Sequence, residues 1–512
     1  RGYFYAFLRK MFWILISTLL VVWIAYEMYW KRRNLPPGPT PLPILGNILS
    51  IMINFPGTET YQKWKKQYGP IYTYWMGPYP IVTVNEINLV QQLFVQDGDY
   101  FADRAPFGNL TEKYRGGNYG IVETSGQVWR EQRRFTLHTL RDFGLGKERM
   151  QEQILDEAHT LLEELEEECK KTGSAWPIKY TEKTVASVIN LVLFGYRFDK
   201  EHEGEFYRVR KMLDKQNEEL RNPIVIAFFW MPQWLVKHVP IINRKFDLMW
   251  KVRDELFEFF GEKIKAHRDV IDYSSDDCND FCDAYLKEMH KLKDDPTTSF
   301  HEKQFVNVCL DLWLAGLETT ASTMAWGTAL LLNYPEIQKK LHDEFDRVIG
   351  SDRIITTNDK GDLHYLNAFI SEVQRWANIV PQNLLRKTTK DIEAGGVVIK
   401  AGTAVAPQIS VLMTDEEIFP DPGSFRPERF IDEHGKLKSF KHFMPFSVGK
   451  RQCPGEGLAR MELYLFFANL VHRFNISPVD PSKVPTLKRT IKTALKPAAF
   501  PCKLESRIVQ NS

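Results

Sequence analysis

The sequence predicts a mainly α fold with small β-sheets, preceded by one N-terminal transmembrane helix. Three observations carry that expectation. Apolar residues at helical spacing dominate the chain, over residues 147–169, 246–266, 301–332, 335–348, 366–377 and 456–474. Only two short stretches alternate in the way of β-hairpins. One apolar run near the N-terminus is long enough to cross a bilayer.

Residues 11–26 are apolar apart from Ser17 and Thr18, and extension to Trp30 gives 20 residues, close to the ~20 that span hydrocarbon. Trp23, Tyr26, Tyr29 and Trp30 suit the interface, and Lys31, Arg32 and Arg33 follow at once. No small-residue cleavage site follows, which favours an anchor over a cleaved signal. Arg1, Arg9 and Lys10 balance the three basic residues on the far side. With Met11 read as the natural start, the positive-inside rule places Lys31–Arg33 and all that follows in the cytosol. Residues 31–47 form a basic, proline-rich hinge, stiff and extended through Leu35-Pro36-Pro37-Gly38-Pro39-Thr40-Pro41-Leu42-Pro43.

Residues 71–75 and 81–84 flank Gly77-Pro78-Tyr79-Pro80 and read as one hairpin. Residues 397–399 and 403–406 flank Lys400-Ala401-Gly402 and read as a second. Residues 269–280, rich in Ser, Asp and Asn, read as a solvent loop. Residues 223–239 are strongly apolar, broken by Pro232 and without a clean period, and composition alone does not separate buried core from other roles. The chain has 512 residues, 44% of them hydrophobic, and 33 Phe, 13 Trp and 20 Tyr. Its motifs converge on one site, which predicts a single domain over 48–512. A net charge of +2 gives no reason to expect nucleic-acid binding. The six cysteines show neither zinc spacing nor a disulfide framework.

The most informative ten residues are Phe446-Ser447-Val448-Gly449-Lys450-Arg451-Gln452-Cys453-Pro454-Gly455. A cysteine at the mouth of a helix meets a positive dipole end and free N–H groups, which favour a metal-binding thiolate. Gly449 and Gly455 let the backbone approach something flat and large. Arg451 offers a donor fork for a carboxylate. Together these describe a haem bound through sulfur. In the 301–332 helix, ~48 Å long at 1.5 Å per residue, Ala315 and Gly316 leave room against the helix, and Glu318 and Thr319 put an acid and a hydroxyl in apolar surroundings. Helix packing, with Thr319 bonding back to Ala315 O, is the alternative. Glu372 and Arg375 share one helix face, as do Trp129 and Arg133.

The cysteine segment resembles the haem-binding loop Phe-x-x-Gly-x-Arg-x-Cys-x-Gly of the cytochrome P-450 monooxygenases, with every fixed position filled. Four more motifs in order resemble that family: the proline-rich hinge, Trp129-x-x-x-Arg133, Ala315-Gly316-Leu317-Glu318-Thr319-Thr320, and Glu372-x-x-Arg375 with Pro427-Glu428-Arg429-Phe430. The style is closest to animal microsomal members that handle xenobiotics, steroids and fatty acids, and the resemblance implies that residues 223–239 form a substrate-access element touching the bilayer, a role that Trp230 and Trp234 suit. The resemblance implies the family's mainly α fold and haem b (iron protoporphyrin IX) held by Cys453, with Phe446, Gly449, Gly455, Ala315 and Gly316 around it. It implies Arg104, Trp129, Arg133, Arg386 and Arg451 as propionate partners, and a structural triad of Glu372, Arg375 and Arg429. Thr319 would hydrogen-bond dioxygen and Glu318 would help to pass protons inward through water. Phe107, Phe305, Leu312, Ala315, Val380, Leu384 and Leu495 would line a pocket for lipophilic substrates.

By the same resemblance the expected protein is an enzyme of the endoplasmic reticulum membrane, its catalytic domain facing the cytosol, that inserts one atom of O2 into lipophilic small molecules. The chain carries no Gly-x-Gly-x-x-Gly, so NADPH electrons would arrive through a flavoprotein reductase, with a b-type cytochrome as a second candidate donor. Arg130, Arg134, Lys438, Lys441 and Lys450 form either an acidic-partner docking surface or an ordinary solvated face. The sequons at Asn109 and Asn475 would stay unmodified in the cytosol. A haem-thiolate isomerase and a non-catalytic haem sensor are the rivals, and the Glu318–Thr319 pair argues against the first.

Overall fold

The longest predicted helix is the spine of the larger of two compact units. The computed structural model describes residues 2–105, 110–143, 148–220, 238–490 and 494–507. The first unit comprises Arg1–Ala105 and Pro381–Leu412, and the second Pro106–Val380 and Met413–Ser512.

The first unit begins with helix α1 (Gly2–Met28). Residues 3–32 have a mean hydropathy of 1.9 over their most apolar stretch and are long enough to cross a membrane. The hinge is pinned rather than loose. Arg32 donates to Met28 O (3.3 Å), Gly38 O (2.6 Å) and Thr40 Oγ1 (3.0 Å). Pro37 O accepts from Thr73 N at 2.9 Å, and a Cβ on Gly38 would collide with Thr73 O. Short helices α2 (Ile48–Ile53), α3 (Thr58–Tyr68) and α4 (Ile87–Gln91) lie in the same unit. Tyr61, Trp64, Tyr72 and Tyr74 form its aromatic core.

The predicted first hairpin is present as β1 (Ile71–Met76) and β2 (Tyr79–Val84), with Ile71 opposite Val84. The second expected hairpin is corrected. β5 (Ile392–Ala394) pairs with β6 (Val397–Ile399) around Gly395 and Gly396, both left-handed with φ of 56° and 74°. A two-residue hairpin favours two such residues, and Lys400-Ala401-Gly402 supplies only Gly402. The 404–407 stretch is instead β7 (Ala404–Pro407), parallel to β2. With β3 (Asp103–Arg104) and β4 (Arg386–Lys387) it completes a five-stranded sheet of order β1-β2-β7-β4-β3.

The second unit is helical: α5 (Leu110–Arg115), α6 (Gly126–Asp142), α7 (Glu148–Thr172), α8 (Pro177–Phe194), α9 (Glu203–Leu220), α10 (Pro240–Arg268), α11 (Phe281–Lys291), α12 (Glu302–Asn333), α13 (Pro335–Val348), α14 (His364–Ala377) and α16 (Glu456–Arg473). The four-residue α15 (Ile409–Leu412) belongs to the first unit. Strands β8 (Phe474–Pro478) and β9 (Cys502–Ser506) pair as a ribbon. His301 caps α12, its side chain accepting from Gln304 N, and Pro335 opens α13 at a position where a missing N–H costs nothing.

Close approach of helices explains the glycines of α12. A Cβ on Gly316 would sit 3.0 Å from Ile189 Cγ1 of α8, and one on Gly327 would strike the Phe467 ring of α16. Gly316 therefore admits a neighbouring helix.

Helices α12 and α16 are also joined by a polar bond. Thr320 Oγ1 donates to Glu462 Oε2 at 3.0 Å, with both side chains buried. Burial pushes the Glu462 carboxyl up to about 8, with Thr320 pulling weakly the other way. The folded state thus holds a proton that the unfolded chain releases above the ordinary carboxylate range. The associated stability is full below pH ~4.5 and is lost as pH rises through about 8. Glu462→Gln removes this dependence. Its urea midpoint is expected to gain on that of the parent between pH 6 and pH 9; a constant difference would refute the assignment.

Candidate active site

Cys453 lies three residues ahead of α16, on a loop shaped by left-handed Ser447 (φ 63°) and Gly449 (φ 69°). Its N–H donates to Phe446 O at 2.9 Å, and Arg460 of α16 lies over the Phe446 ring at 4.9 Å. Gly455 has an ordinary φ of −93°. A Cβ there would meet nothing within 4 Å. Cys453 is exposed, yet the protein packed around it pushes its thiol up. The Gly455 N–H and Arg133 pull the other way without prevailing. A bound metal deprotonates a coordinating thiol outright.

Anion donors cluster beside this loop. Arg451 is buried, with its guanidinium 3.8 Å over the Trp129 ring. It donates to Thr124 O and, at 3.5 Å, to Ile121 O and Val122 O. Arg133 donates to Gln452 O at 2.5 Å, tying α6 to the cysteine loop. Burial lowers its pKa and Cys453 opposes that. Trp129 is 5% exposed, and its Nε1 is a buried donor with no partner among the described residues. In the first unit, Arg104 and Arg386 face each other across β3 and β4. Both are buried, Arg104 donating to Leu384 O at 3.2 Å and Arg386 stacked on Phe94 at 4.8 Å.

On α12, Ala315 is exposed and Thr319 half-buried, while Leu317, Glu318 and Thr320 are buried. The helix therefore opens on one face at mid-length. Thr319 Oγ1 bonds back to Ala315 O at 2.7 Å. Glu318 is not beside it but turned into the protein, 3.0 Å from Arg210 Nη1 and 3.2 Å from Lys496 Nζ. Sequence reasoning missed both cations, which lie over 100 residues from Glu318 on either side. Phe305 is likewise corrected. It is fully buried and stacked on Tyr285 at 4.0 Å, 6° from parallel, because an aromatic cluster with Phe281 and Phe300 claims it. Leu312 and Leu495 are buried, whereas Val380 and Leu384 are 38% and 36% exposed. Phe107, the 221–237 segment with Trp230 and Trp234, and Asn109 lie outside the described residues.

Glu372, Arg375 and Arg429 come together. Arg375 grips Glu372 with two bonds of 2.6 and 2.8 Å, and Arg429 Nε donates to Glu372 Oε1 at 3.0 Å. The arginines also donate to the carbonyls of Met413, Pro420, Asp421, Pro422 and Ser424.

Open space beside a cysteine, with an indole N–H and guanidinium groups close by, fits a flat macrocycle that carries carboxylates and binds through sulfur. These are the features of a haem-thiolate enzyme. A family model described as Cytochrome P-450 matches residues 36–503, and the chain belongs to the cytochrome P-450 family. It is 34% identical to cytochrome P-450 2G1 of Oryctolagus cuniculus, over 92% of this chain and 93% of the relative. It is 34% identical to cytochrome P-450 2A9 of Mesocricetus auratus, over 95% and 94%. Identity to cytochrome P-450 2B19 of Mus musculus is 35%, over 92% and 93%. The chain is accordingly a haem-thiolate monooxygenase that uses O2 and electrons from a redox partner.

Proposed function

We propose that the protein is an anchored monooxygenase of the endoplasmic reticulum, facing the cytosol, that oxygenates lipophilic small molecules with NADPH electrons from a flavoprotein reductase. The observation that carries the site assignment is the Cys453 loop, whose Gln452 O accepts from Arg133 and whose Arg451 lies over Trp129, a buried indole with its Nε1 unpartnered among the described residues. Haem bound there supplies the redox centre at which dioxygen is activated. Cys453 would hold it through sulfur. Trp129, Arg133 and Arg451 would orient the propionates. Arg104 and Arg386 keep that role on the resemblance.

Ala315 leaves the middle of α12 uncovered, and Thr319 presents a hydroxyl there whose proton lies on Ala315 O. The hydroxyl can accept a hydrogen bond from water without moving. Glu318 is the acid that exchanges protons with that water, once it leaves its two cations. Leu312, Val380, Leu384 and Leu495 are apolar, which supports a lipophilic substrate. Glu372, Arg375 and Arg429 brace the fold behind the cysteine loop. Arg130, Arg134, Lys438, Lys441 and Lys450 are all exposed, as a surface for an acidic reductase requires. The span followed by Lys31–Arg33 supports the cytosolic orientation.

Reconstitution with reductase, NADPH and a panel of steroids, fatty acids and aromatic xenobiotics tests this reading. Oxygenated product carrying one atom from labelled O2 is expected. Thr319→Ala should retain haem but divert oxygen uptake to peroxide, lowering product per NADPH by on the order of 10-fold or more. Unchanged coupling in that variant would remove Thr319 from the relay. Haem incorporation without any NADPH-dependent product across the panel would favour a sensor.

A further inference from the structure

Tyr114 of α5 and Gln216 of α9 meet although 102 positions separate them, Gln216 Nε2 donating to Tyr114 Oη at 2.7 Å. Each keeps one polar group in reserve. Gln216 Oε1 is buried with no partner, and the Tyr114 hydroxyl finds no acceptor, among the described residues. Burial pushes that hydroxyl up to about 12, with Arg115, Gln216 and Arg253 pulling the other way, so it stays protonated at physiological pH. Turning the Gln216 amide over would send the Tyr114 proton to Oε1 and release an N–H. In either orientation the pair offers one donor and one acceptor side by side. Its place follows from its neighbours. Arg115 is paired with Asp311 of α12, and Asn307 of α12 donates to Arg115 O at 3.3 Å. Asp311 lies one turn, ~6 Å, before the exposed Ala315 on the same face. On the other side, Arg210 of α9 is 3.0 Å from Glu318, and Gln216 lies ~9 Å further along that helix. Arg253 of α10 donates to Lys113 O and Tyr114 O at 3.2 and 3.4 Å, and the Tyr114 ring meets Phe257 edge-on. The pair thus stands against an aromatic ring, about one turn from the uncovered middle of α12.

We infer that Tyr114 and Gln216 are specificity-determining residues that read a neutral hydroxyl group on an otherwise lipophilic substrate. The inference rests on the proposed oxygenation of lipophilic molecules and narrows their class to alcohols. A hydroxyl is the smallest group that answers both side chains: its oxygen accepts from Tyr114 and its proton goes to Gln216 Oε1. A hydrocarbon answers neither, and would cover two polar groups without bonding them, which is how a site of this kind rejects the wrong ligand. A carboxylate has no proton to give and would set its charge against Gln216 Oε1. The two cations that act on Tyr114 already hold acids, Arg115 with Asp311 and Arg253 with Asp254 at 2.6 Å, so neither is free to draw an anion in. A hydroxyl held by the pair leaves the apolar remainder of the molecule to run along α12 toward Ala315 and Thr319. The group that is recognised is thereby kept apart from the carbon that is oxygenated.

The test titrates 1-dodecanol, dodecane and dodecanoate into the haem-loaded full-length protein and into Tyr114→Phe and Gln216→Met, with the Soret band reporting occupancy. Each variant is checked first for an intact reduced carbon monoxide spectrum. Tyr114→Phe keeps the ring against Phe257, and Gln216→Met keeps the length of the side chain. The quantity read is the affinity for the alcohol divided by that for dodecane. Partitioning into detergent or lipid cancels between proteins, and a merely structural loss moves both ligands together. The ratio should fall by roughly 3- to 10-fold in either variant, while the corresponding ratio for dodecanoate should not fall. A matching fall for dodecanoate would show that the pair reads an acid and would overturn the assigned class. Unchanged alcohol ratios in both variants, with alcohol and alkane still bound, would overturn the inference and leave the lipophilic reading standing. If no probe perturbs the Soret band of the parent, the lipophilic reading fails, and the inference with it.

Discussion

Serine in place of Cys453 is expected to abolish both the strongly red-shifted Soret band of the reduced, carbon monoxide-bound protein and all NADPH-dependent oxygenation. The substitution changes one atom and leaves the loop intact. The Cys453 N–H bond to Phe446 O and the left-handed turns at Ser447 and Gly449 do not depend on sulfur. What is lost is the soft, polarizable ligand. A serine hydroxyl is a far weaker acid than a thiol, and the surroundings that already push the Cys453 thiol up would hold an alkoxide less readily still. Among the other cysteines, Cys282, Cys309 and Cys502 are buried, and burial pushes their thiols up. Absorption spectra of parent and variant, purified side by side, decide the matter. A retained red-shifted band in the variant would mean that another group ligates the haem.

The contrast between the cysteine loop and the surroundings of Glu318 shows what a sequence can and cannot disclose. The loop is contiguous: ten neighbours carry ligand, turns and donor, and their order alone suggests the chemistry. The helix ends are local too. Pro335 opens α13, and left-handed Asn378 closes α14 one residue beyond its expected end. Partners set far apart are invisible in the same text. Arg210 and Lys496 meet Glu318 across gaps of 108 and 178 positions, and no spacing rule connects them. Helix α8 went unmarked because it is buried on nearly every face from Thr181 to Phe194, which erases the 3.6-residue period that marks a half-buried helix. Strand pairing failed for a similar reason. Residues 404–407 alternate like the arm of a hairpin, but their partner is β2, over 300 residues earlier, and Gly395-Gly396 had already closed a turn upstream. Phe305 and Gly316 occupy the expected helix, and only three-dimensional packing reveals that one faces Tyr285 and the other Ile189.

The Glu372→Gln variant should fail mainly in folding and haem retention, not in chemistry. Glu372 and Arg375 are fully buried, and Arg429 is 6% exposed. Surface ion pairs such as Lys340–Glu428, about half exposed on each side, contribute roughly 0–1 kcal/mol. The triad differs because removing its one acid leaves two guanidinium groups in the interior. Their bonds to the carbonyls of Met413, Pro420, Asp421, Pro422 and Ser424 satisfy donors but supply no net negative charge. Breaking a buried pair in this way costs about 3–5 kcal/mol, a large share of the roughly 5–15 kcal/mol that holds a typical protein folded. Glu372 Oε1 also accepts from Arg426 N at 2.9 Å, so the same change loosens the 426–430 turn. Glutamine keeps the shape and one acceptor, which isolates charge from packing. Expected results are a much lower yield of haem-loaded protein and a clearly reduced urea midpoint. The molecules that do load haem should turn over at close to the parent rate, because the bonds of the three side chains run to one another and to the 413–426 backbone, not to Cys453 or Thr319. A variant that folded normally but oxygenated slowly would reverse that division and move the triad from scaffold to mechanism. Arg429→Lys sharpens the comparison. It keeps the charge on Glu372 and gives up the fork that spans Pro420, Asp421 and Ser424, so its loss should fall between parent and Glu372→Gln if charge, more than hydrogen-bond count, sets the cost.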